Sequence, residues 1–146
     1  MDKRLILITH AGMAKGVKET LEFISGFGDQ AEVIEAFTED KQPELRFRKL
    51  LEETGEDCLV IVLTDIEFGS VNQMCSRYAG ERVHLITGFN LPLAVELYMT
   101  PAEQIDSSFI RTAIEKAKRE MMYMNDVISE LKQQGKAEEN PEEDFF

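Results

Sequence analysis

The sequence predicts an α/β fold: a doubly wound, mostly parallel sheet flanked by helices, in a single domain. Short apolar runs alternate along the chain with segments whose apolar residues recur every three or four positions, the pattern of strands and crossover helices. The run at residues 58–64 is apolar almost throughout, as expected for a strand buried on both faces. A length of 146 residues suits one domain with one core, which we place at residues 1–134.

Four strands are predicted, each ending where an apolar run meets a polar residue or a glycine. They cover residues 4–9, 32–37, 58–64 and 82–87. Helices are predicted at residues 13–25, 43–54, 70–78 and 92–99. Pro43 suits a first helical turn, Ser70 a helix N-cap and Gly55 a helix end.

The last segment is predicted to form one long helix, capped by Ser107 and reaching about Gln134. Its apolar residues from Ile110 to Leu131 are separated by steps of four and three, close to a heptad repeat. A domain of this size cannot bury the whole stripe, so we expect its end to pack on another subunit. Residues 135–146, which contain five acids, are predicted to form a solvated, flexible tail.

Composition and charge exclude several classes of function. The formal net charge of −12 is unfavourable for nucleic-acid binding, which depends on Lys and Arg neutralising phosphates. No apolar run is long enough to span a bilayer and no signal peptide is visible, so we expect a cytoplasmic protein. Cys58 and Cys75 form neither a disulfide framework nor a metal-ligand spacing, and we interpret both as reduced structural thiols.

Polar residues and glycines follow three of the predicted strands, whose carboxyl ends meet at one edge of a parallel sheet. They are Thr9-His10 before Gly12, Thr64-Asp65 before Gly69-Ser70, and Thr87 before Gly88. Because ligands of open α/β sheets bind at this edge, we predict a site there. His10 is its centre, since imidazole can titrate or carry a covalent group near neutral pH. A histidine that merely ends a strand is the alternative interpretation.

A histidine nucleophile needs one unprotonated ring nitrogen facing outward and an acceptor that holds the other N–H. Asp65, after the neighbouring strand, is positioned to be that acceptor, although an acid that caps the following helix is an open alternative. A phosphoryl group on His10 would need hydrogen-bond donors, either hydroxyls or the backbone amides of turns and helix starts. The predicted donors are Thr9, Gly12, Thr64, Ser70 and Thr87.

Two other polar residues have simpler interpretations. Asn90, before Leu91-Pro92, is expected to shape a turn rather than to act in catalysis. His84 lies inside the fourth predicted strand and is expected to be structural.

Three motifs resemble the enzyme IIA components of the mannose/fructose/sorbose family of the sugar phosphotransferase system. The motifs are Thr9-His10-Ala11-Gly12, Asp65 with Gly69-Ser70-Val71-Asn72, and Gly88-Phe89-Asn90-Leu91-Pro92 with Val95-Glu96-Leu97. They span about residues 4–99, and their shared order and spacing carry the resemblance.

The resemblance implies a phosphohistidine carrier without metal or cofactor. His10 would accept a phosphoryl group at Nε2 from phospho-HPr and pass it to enzyme IIB, for sugar uptake through a membrane permease. Asp65 would bind the Nδ1 side of the ring, and Gly69, Ser70 and nearby amides would cradle the phosphoryl group. The family also implies a homodimer.

The chain departs from the family pattern at two places. Phe68 stands where the family usually has a second glycine and Val71 where it has a proline, which we expect to affect partner choice more than chemistry. Family members can also end with an antiparallel strand exchanged across the dimer. Met121-Met122-Tyr123-Met124 could supply such a strand, whereas the periodicity favours a helix.

Two other classes of function stay open. A receiver domain would be phosphorylated on Asp65, but it needs an acidic pair after strand one to hold Mg²⁺, and Thr9-His10 stands there. A regulatory or binding α/β dimer without phosphotransfer is the other class. A hydrolase lacks a nucleophilic Ser or Cys beside His10 and Asp65, and no glycine-rich nucleotide loop is present.

Overall fold

The computed structural model describes residues 1–28, 30–66 and 70–136, in which strands alternate with helices. The strands are β1 (Lys3–His10), β2 (Ala31–Ala36), β3 (Leu59–Thr64) and β4 (Val83–Thr87). The helices are α1 (Met13–Ser25), α2 (Pro43–Glu53), α3 (Ser70–Ser76), α4 (Leu91–Met99), α5 (Ser107–Lys118) and α6 (Met124–Gly135). A short 3-10 turn, Ala102–Gln104, lies between α4 and α5.

The four strands form one sheet in the order β2-β1-β3-β4, and every neighbouring pair is parallel. β1 and β3 lie at the centre, which explains the unbroken apolar runs at residues 5–8 and 59–63; all six residues of β3 are buried. Helices pack on both faces of this sheet, so the predicted doubly wound α/β fold is confirmed. All four carboxyl ends meet at one edge, which we call the carboxyl edge.

Side chains alternate between the two faces of each strand and so divide the core into two layers. Leu5 and Leu7 of β1 pack in the layer with α1, α4 and α5. Ile6 and Ile8, which point the other way, pack with α2 and α3. Because β1 and β3 are central strands covered on both faces, their positions are rigid. The residues that directly follow these strands are therefore held in place as well.

The prediction of one long terminal helix is wrong, because the chain leaves the helical path between α5 and α6. In a continuous helix, the carbonyl of Ala117 would accept the N–H of residue 121. Here it accepts the side-chain amide of Asn90 at 2.8 Å and the N–H of Glu120 at 3.1 Å. The α-helical pattern therefore ends at this carbonyl, and a new helix begins at Met124.

Two polar side chains act as helix N-caps near the end of the domain. Asp106, not Ser107, is the N-cap of α5, and its carboxylate accepts the N–H of Phe109 at 2.7 Å. Asn90 is the N-cap of α4 and accepts the N–H of Leu93 at 3.1 Å. Because its amide also binds Ala117, Asn90 joins the start of α4 to the end of α5. This agrees with the turn-shaping role expected for it.

The segment between α5 and α6 carries an apolar surface. Met121, Met122, Tyr123 and Met124 are all exposed, with Met121 83% exposed, whereas Val127, Ile128 and Leu131 of α6 are partly buried. Residues 121–123 lie in neither a helix nor a strand, and a helix runs from Met124 onward. The acidic residues 137–146 lie outside the described residues. No helix in the described ranges is long and apolar enough to cross a membrane.

Candidate functional site

The chain order of the strands marks a particular point on the carboxyl edge. From β1 the chain moves outward to β2 and then returns past β1 to β3, so the winding direction reverses between β1 and β3. Open α/β sheets bind their ligands at such a reversal. His10 is the last residue of β1 and Asp65 is the first residue after β3. The two predicted residues therefore meet at the switch point.

Asp65 holds both the main chain and the side chain of His10. Its Oδ2 accepts the backbone N–H of His10 at 2.9 Å and lies 2.8 Å from the ring Nδ1. Its Oδ1 accepts the N–H of Ile66 at 3.0 Å. The carboxylate is only 12% exposed and is fixed by three N–H groups, so it provides a rigid acceptor.

The protonation state of Asp65 follows from these contacts. Burial acts to raise the pKa of the carboxyl group, but the hydrogen bonds from the backbone N–H and ring of His10, with the attraction of that ring, place the pKa below its ordinary value. Asp65 is therefore an anion at neutral pH. An anionic acceptor fixes the proton of a neutral imidazole on Nδ1 and leaves the lone pair on Nε2.

The His10 ring presents that lone pair to solvent. Its side chain is 40% exposed, and Nε2 has no hydrogen-bond partner within the described part of the chain. A nucleophilic imidazole needs this arrangement: one nitrogen held by a carboxylate and the other open to an incoming group.

The turn after His10 is tight and leads directly into α1. Ala11 takes a left-handed backbone conformation (φ 51°), and Gly12 is the N-cap of the helix. Thr9 is fully buried, and its hydroxyl accepts the N–H of Ala14 at 2.8 Å. Thr9 thereby ties the start of α1 to the end of β1 and fixes the direction in which the turn leaves His10.

The remaining predicted donors lie at the same edge in different surroundings. Thr64 is fully buried, with its hydroxyl 3.5 Å from Oδ1 of Asn72. Ser70 is exposed and is the first residue of α3 rather than the N-cap that the sequence predicts. The hydroxyl oxygen of Thr87 is buried and has no hydrogen-bond partner among the described residues. Gly69 lies outside the described residues.

Phe68 and Val71 are the two departures from the family pattern. Phe68 lies outside the described residues. Val71, in the place of the family's proline, is buried in the core layer beneath α3 together with Met74 and Cys75. Its side chain therefore contributes to packing of the helix on the sheet.

Sequence reasoning missed one side chain that contacts His10. The ring of Phe37 lies 5.8 Å from the imidazole, measured between ring centroids, at an interplanar angle of 37°. Phe37 was predicted to end strand two, whereas β2 ends at Ala36 and Phe37 has a left-handed backbone (φ 68°). Its position directly after a strand, at the carboxyl edge, was the one available signal.

Comparison with known proteins identifies a family whose sequence pattern matches this chain. The sequence pattern of the PTS system fructose IIA component family matches residues 4–115, which include β1, β3 and the His10–Asp65 pair. The chain belongs to this family. The match covers more than half of the chain, so the earlier resemblance is confirmed at the level of the family.

Solved structures with the same fold include other IIA components. A Klebsiella pneumoniae protein described as a phosphoenolpyruvate-dependent sugar phosphotransferase system permease is 29% identical, with a TM-score of 0.79 over 88% of this chain and 95% of its own. A PTS IIA protein associated with the fucose utilization operon of Streptococcus pneumoniae is 24% identical, with a TM-score of 0.74 over 88% and 97%. The mannose/sorbose-specific IIA subunit of Enterococcus faecalis is 21% identical, with a TM-score of 0.70 over 84% and 94%.

Those alignments cover 94–97% of each neighbouring chain, so this IIA component spans nearly the full length of those structures. The last two, below 25% identity, bear on the fold alone. His84, the other histidine of this IIA component, lies partly buried in β4, on the side of β3 away from β1.

Proposed function

We propose that this IIA component is a phosphohistidine carrier of the sugar phosphotransferase system. It accepts a phosphoryl group from phospho-HPr on Nε2 of His10 and passes it to enzyme IIB. The observation that carries the proposal is the contact between His10 Nδ1 and Asp65 Oδ2 at 2.8 Å, with the opposite edge of the ring open.

The chemistry follows from that contact. The Nε2 lone pair attacks phosphorus in line, a new N–P bond forms, and the N–P bond to the donor's histidine breaks. As Nε2 gives up its electron pair, positive charge develops on the ring, and the Asp65 carboxylate stabilises it at Nδ1–H. The second transfer runs the same step in reverse, toward enzyme IIB. Positioning and electrostatics supply most of the catalysis in such transfers.

The transferred group is expected to bind groups around the open edge of His10. The hydroxyl of Ser70 is exposed at this edge, and the Gly12 turn directly follows His10. Gly69 is proposed as a further donor through its backbone amide. Thr9 and Thr64 are both fully buried, so they act indirectly. Thr9 fixes the turn after β1, and Thr64 fixes the end of β3.

Exposed apolar side chains near His10 support a protein as the partner. Met13 and Ile66 both lie at the carboxyl edge and are about half exposed. Exposed apolar groups around a reactive polar centre are typical of protein interaction sites. HPr and enzyme IIB would dock here in turn, and transport by the membrane permease would depend on this carrier indirectly.

We further propose a cytoplasmic homodimer in which the exposed segment Met121–Met124 is covered by a second copy. Four consecutive exposed apolar side chains are costly in a monomer. Sedimentation analysis tests this. The wild type is expected to sediment as a dimer, and the pair of substitutions Met121→Ser and Met122→Ser is expected to shift it toward monomer. A wild-type monomer at micromolar concentration would contradict the proposal.

The phosphocarrier proposal is tested by incubation with phosphoenolpyruvate, enzyme I and HPr. The wild type should acquire an acid-labile, base-stable phosphate, His10→Ala should acquire none, and His84→Gln should match the wild type. A label that survives His10→Ala and is lost in Asp65→Asn would support the receiver alternative. Absence of label on the wild type would favour a regulatory dimer without phosphotransfer.

A further inference from the structure

The contact between Phe37 and His10 is unusual because the aromatic ring gains little burial from it. Phe37 is 55% exposed, yet its ring lies against the imidazole at a separation within the range of aromatic pairs. An exposed phenylalanine could turn into solvent at little cost. The position of its ring must therefore be set by the turn that contains Phe37.

The backbone of Phe37 is held in a strained conformation. A φ of 68° places this bulky residue in the left-handed region, which side chains other than glycine, asparagine and aspartate rarely adopt. Such strain persists only where the surrounding structure enforces it, and it is concentrated at functional sites.

Asp40 enforces the conformation from three residues further along the chain. Its Oδ2 accepts the N–H of Glu35 at 2.9 Å, its N–H donates to the carbonyl of Glu35 at 3.1 Å, and its carbonyl accepts the N–H of Phe37 at 3.1 Å. The turn after β2 is thus built around Phe37. Ala11, next to His10, donates its N–H to the carbonyl of Ala36 at 3.4 Å, which ties this turn to the histidine's own turn.

A hydrogen bond to Nδ1 fixes one edge of the imidazole but leaves the ring free to tilt about that bond. A second contact from Phe37 removes that freedom. We propose that Phe37 is a positioning residue that, together with Asp65, holds the His10 ring so that Nε2 points outward along one direction. The effect on transfer rate rests on the proposed function, whereas the effect on the ring does not.

Phe37→Gly tests the proposal, because glycine removes the ring and also adopts the left-handed backbone without strain. With saturating phospho-HPr, the transfer rate is expected to fall about tenfold or more, since misplacement of a reacting atom is costly. The half-saturating concentration of phospho-HPr should stay unchanged. Phe37→Tyr, which keeps the ring, should restore the rate. Phe23→Ala, at an 88% exposed phenylalanine on α1, is the matched control.

A second measurement uses the unphosphorylated protein and needs no partner. In protein labelled with ¹⁵N-histidine, the wild type should show one set of His10 ring signals with Nδ1 protonated. Phe37→Gly should show averaged or doubled ring signals, while Phe23→Ala should match the wild type.

Wild-type ring signals in Phe37→Gly would overturn the proposal whatever the outcome of phosphorylation. A change confined to the half-saturating concentration would also overturn it and make Phe37 a partner contact. If the wild type accepts no phosphate, the proposed function fails, and the ring signals alone decide the role of Phe37.

Discussion

Oδ2 of Asp65 accepts two hydrogen bonds from the same residue, one from the backbone N–H of His10 and one from its ring Nδ1. One oxygen therefore fixes both the end of β1 and the orientation of the side chain that follows from it. The orientation of the reactive imidazole therefore depends on the packing of the sheet, because any shift between β1 and β3 would move the ring.

Replacement of Asp65 by asparagine should slow phosphoryl transfer strongly. The amide keeps the shape of the side chain but removes the negative charge that stabilises the ring cation, and it can direct an N–H toward Nδ1. We expect a loss on the order of 10²-fold or more in the initial rate of phosphorylation. Asp126→Asn, at an exposed position on α6, is the control and should behave as wild type. A rate for Asp65→Asn within twofold of wild type would exclude the stated role.

The same carboxylate should make stability depend on pH in the acid range. Its pKa in the folded protein lies below the ordinary value of 3.8, so the folded state holds the proton more weakly than the unfolded state. The contribution is fully present well above the ordinary pKa of 3.8 and is lost as the pH falls through the folded pKa. The difference in unfolding free energy between wild type and Asp65→Asn, from urea titrations, should therefore be larger at pH 7 than at pH 3. An equal difference at both pH values would contradict the pKa shift.

Asn90→Ala should destabilise the protein through two lost hydrogen bonds. The cap of α4 contributes about 1 kcal/mol, and the bond to the carbonyl of Ala117 about another 1 kcal/mol. We expect a decrease of about 2 kcal/mol in the free energy of unfolding. Asn125→Ala, whose amide donates to the exposed Tyr123 hydroxyl, should change it by less than about 0.5 kcal/mol. Equal changes in the free energy of unfolding for the two substitutions would show that the hydrogen bonds of Asn90 do not stabilise the fold.

Thr9→Val should affect stability although the two side chains have nearly the same shape. The valine would leave the buried N–H of Ala14 without its acceptor, which costs about 1–3 kcal/mol. Thr20→Val, in α1 with its hydroxyl at the surface, is the control and should have an effect of about 0.5 kcal/mol or less. Chemical denaturation of the two variants distinguishes them, and indistinguishable midpoints would show that the Thr9 hydroxyl does not hold the helix start.

The sheet could be predicted from the sequence because burial on both faces makes a strand continuously apolar. β1 and β3 carry that signal, and the parallel arrangement that follows from it brings their ends together. This is why residues 55 positions apart, His10 and Asp65, could be assigned to one edge. The distances between their atoms depend on the twist and register of the sheet, which no local pattern encodes.

The errors have a different physical origin. The apolar spacing from Ile110 to Leu131 continues through the break after α5. The helix ends there because the side-chain amide of Asn90 donates to the carbonyl of Ala117, a contact that the spacing of apolar residues does not reveal. Phe37 is assigned to a strand by the sequence because it continues the apolar pattern of residues 32–37. Its left-handed turn depends on Asp40, which accepts the N–H groups of Glu35 and Phe37, and such contacts leave no periodic pattern.

The central claim is that Asp65 holds Nδ1 of His10 so that Nε2 carries the phosphoryl group. It is tested most directly by ¹⁵N and ³¹P NMR of protein labelled with ¹⁵N-histidine and phosphorylated from phosphoenolpyruvate through enzyme I and HPr. The account predicts phosphorus bonded to Nε2 of His10, with Nδ1 still protonated. Phosphorus on Nδ1, on His84, or on no histidine would contradict it.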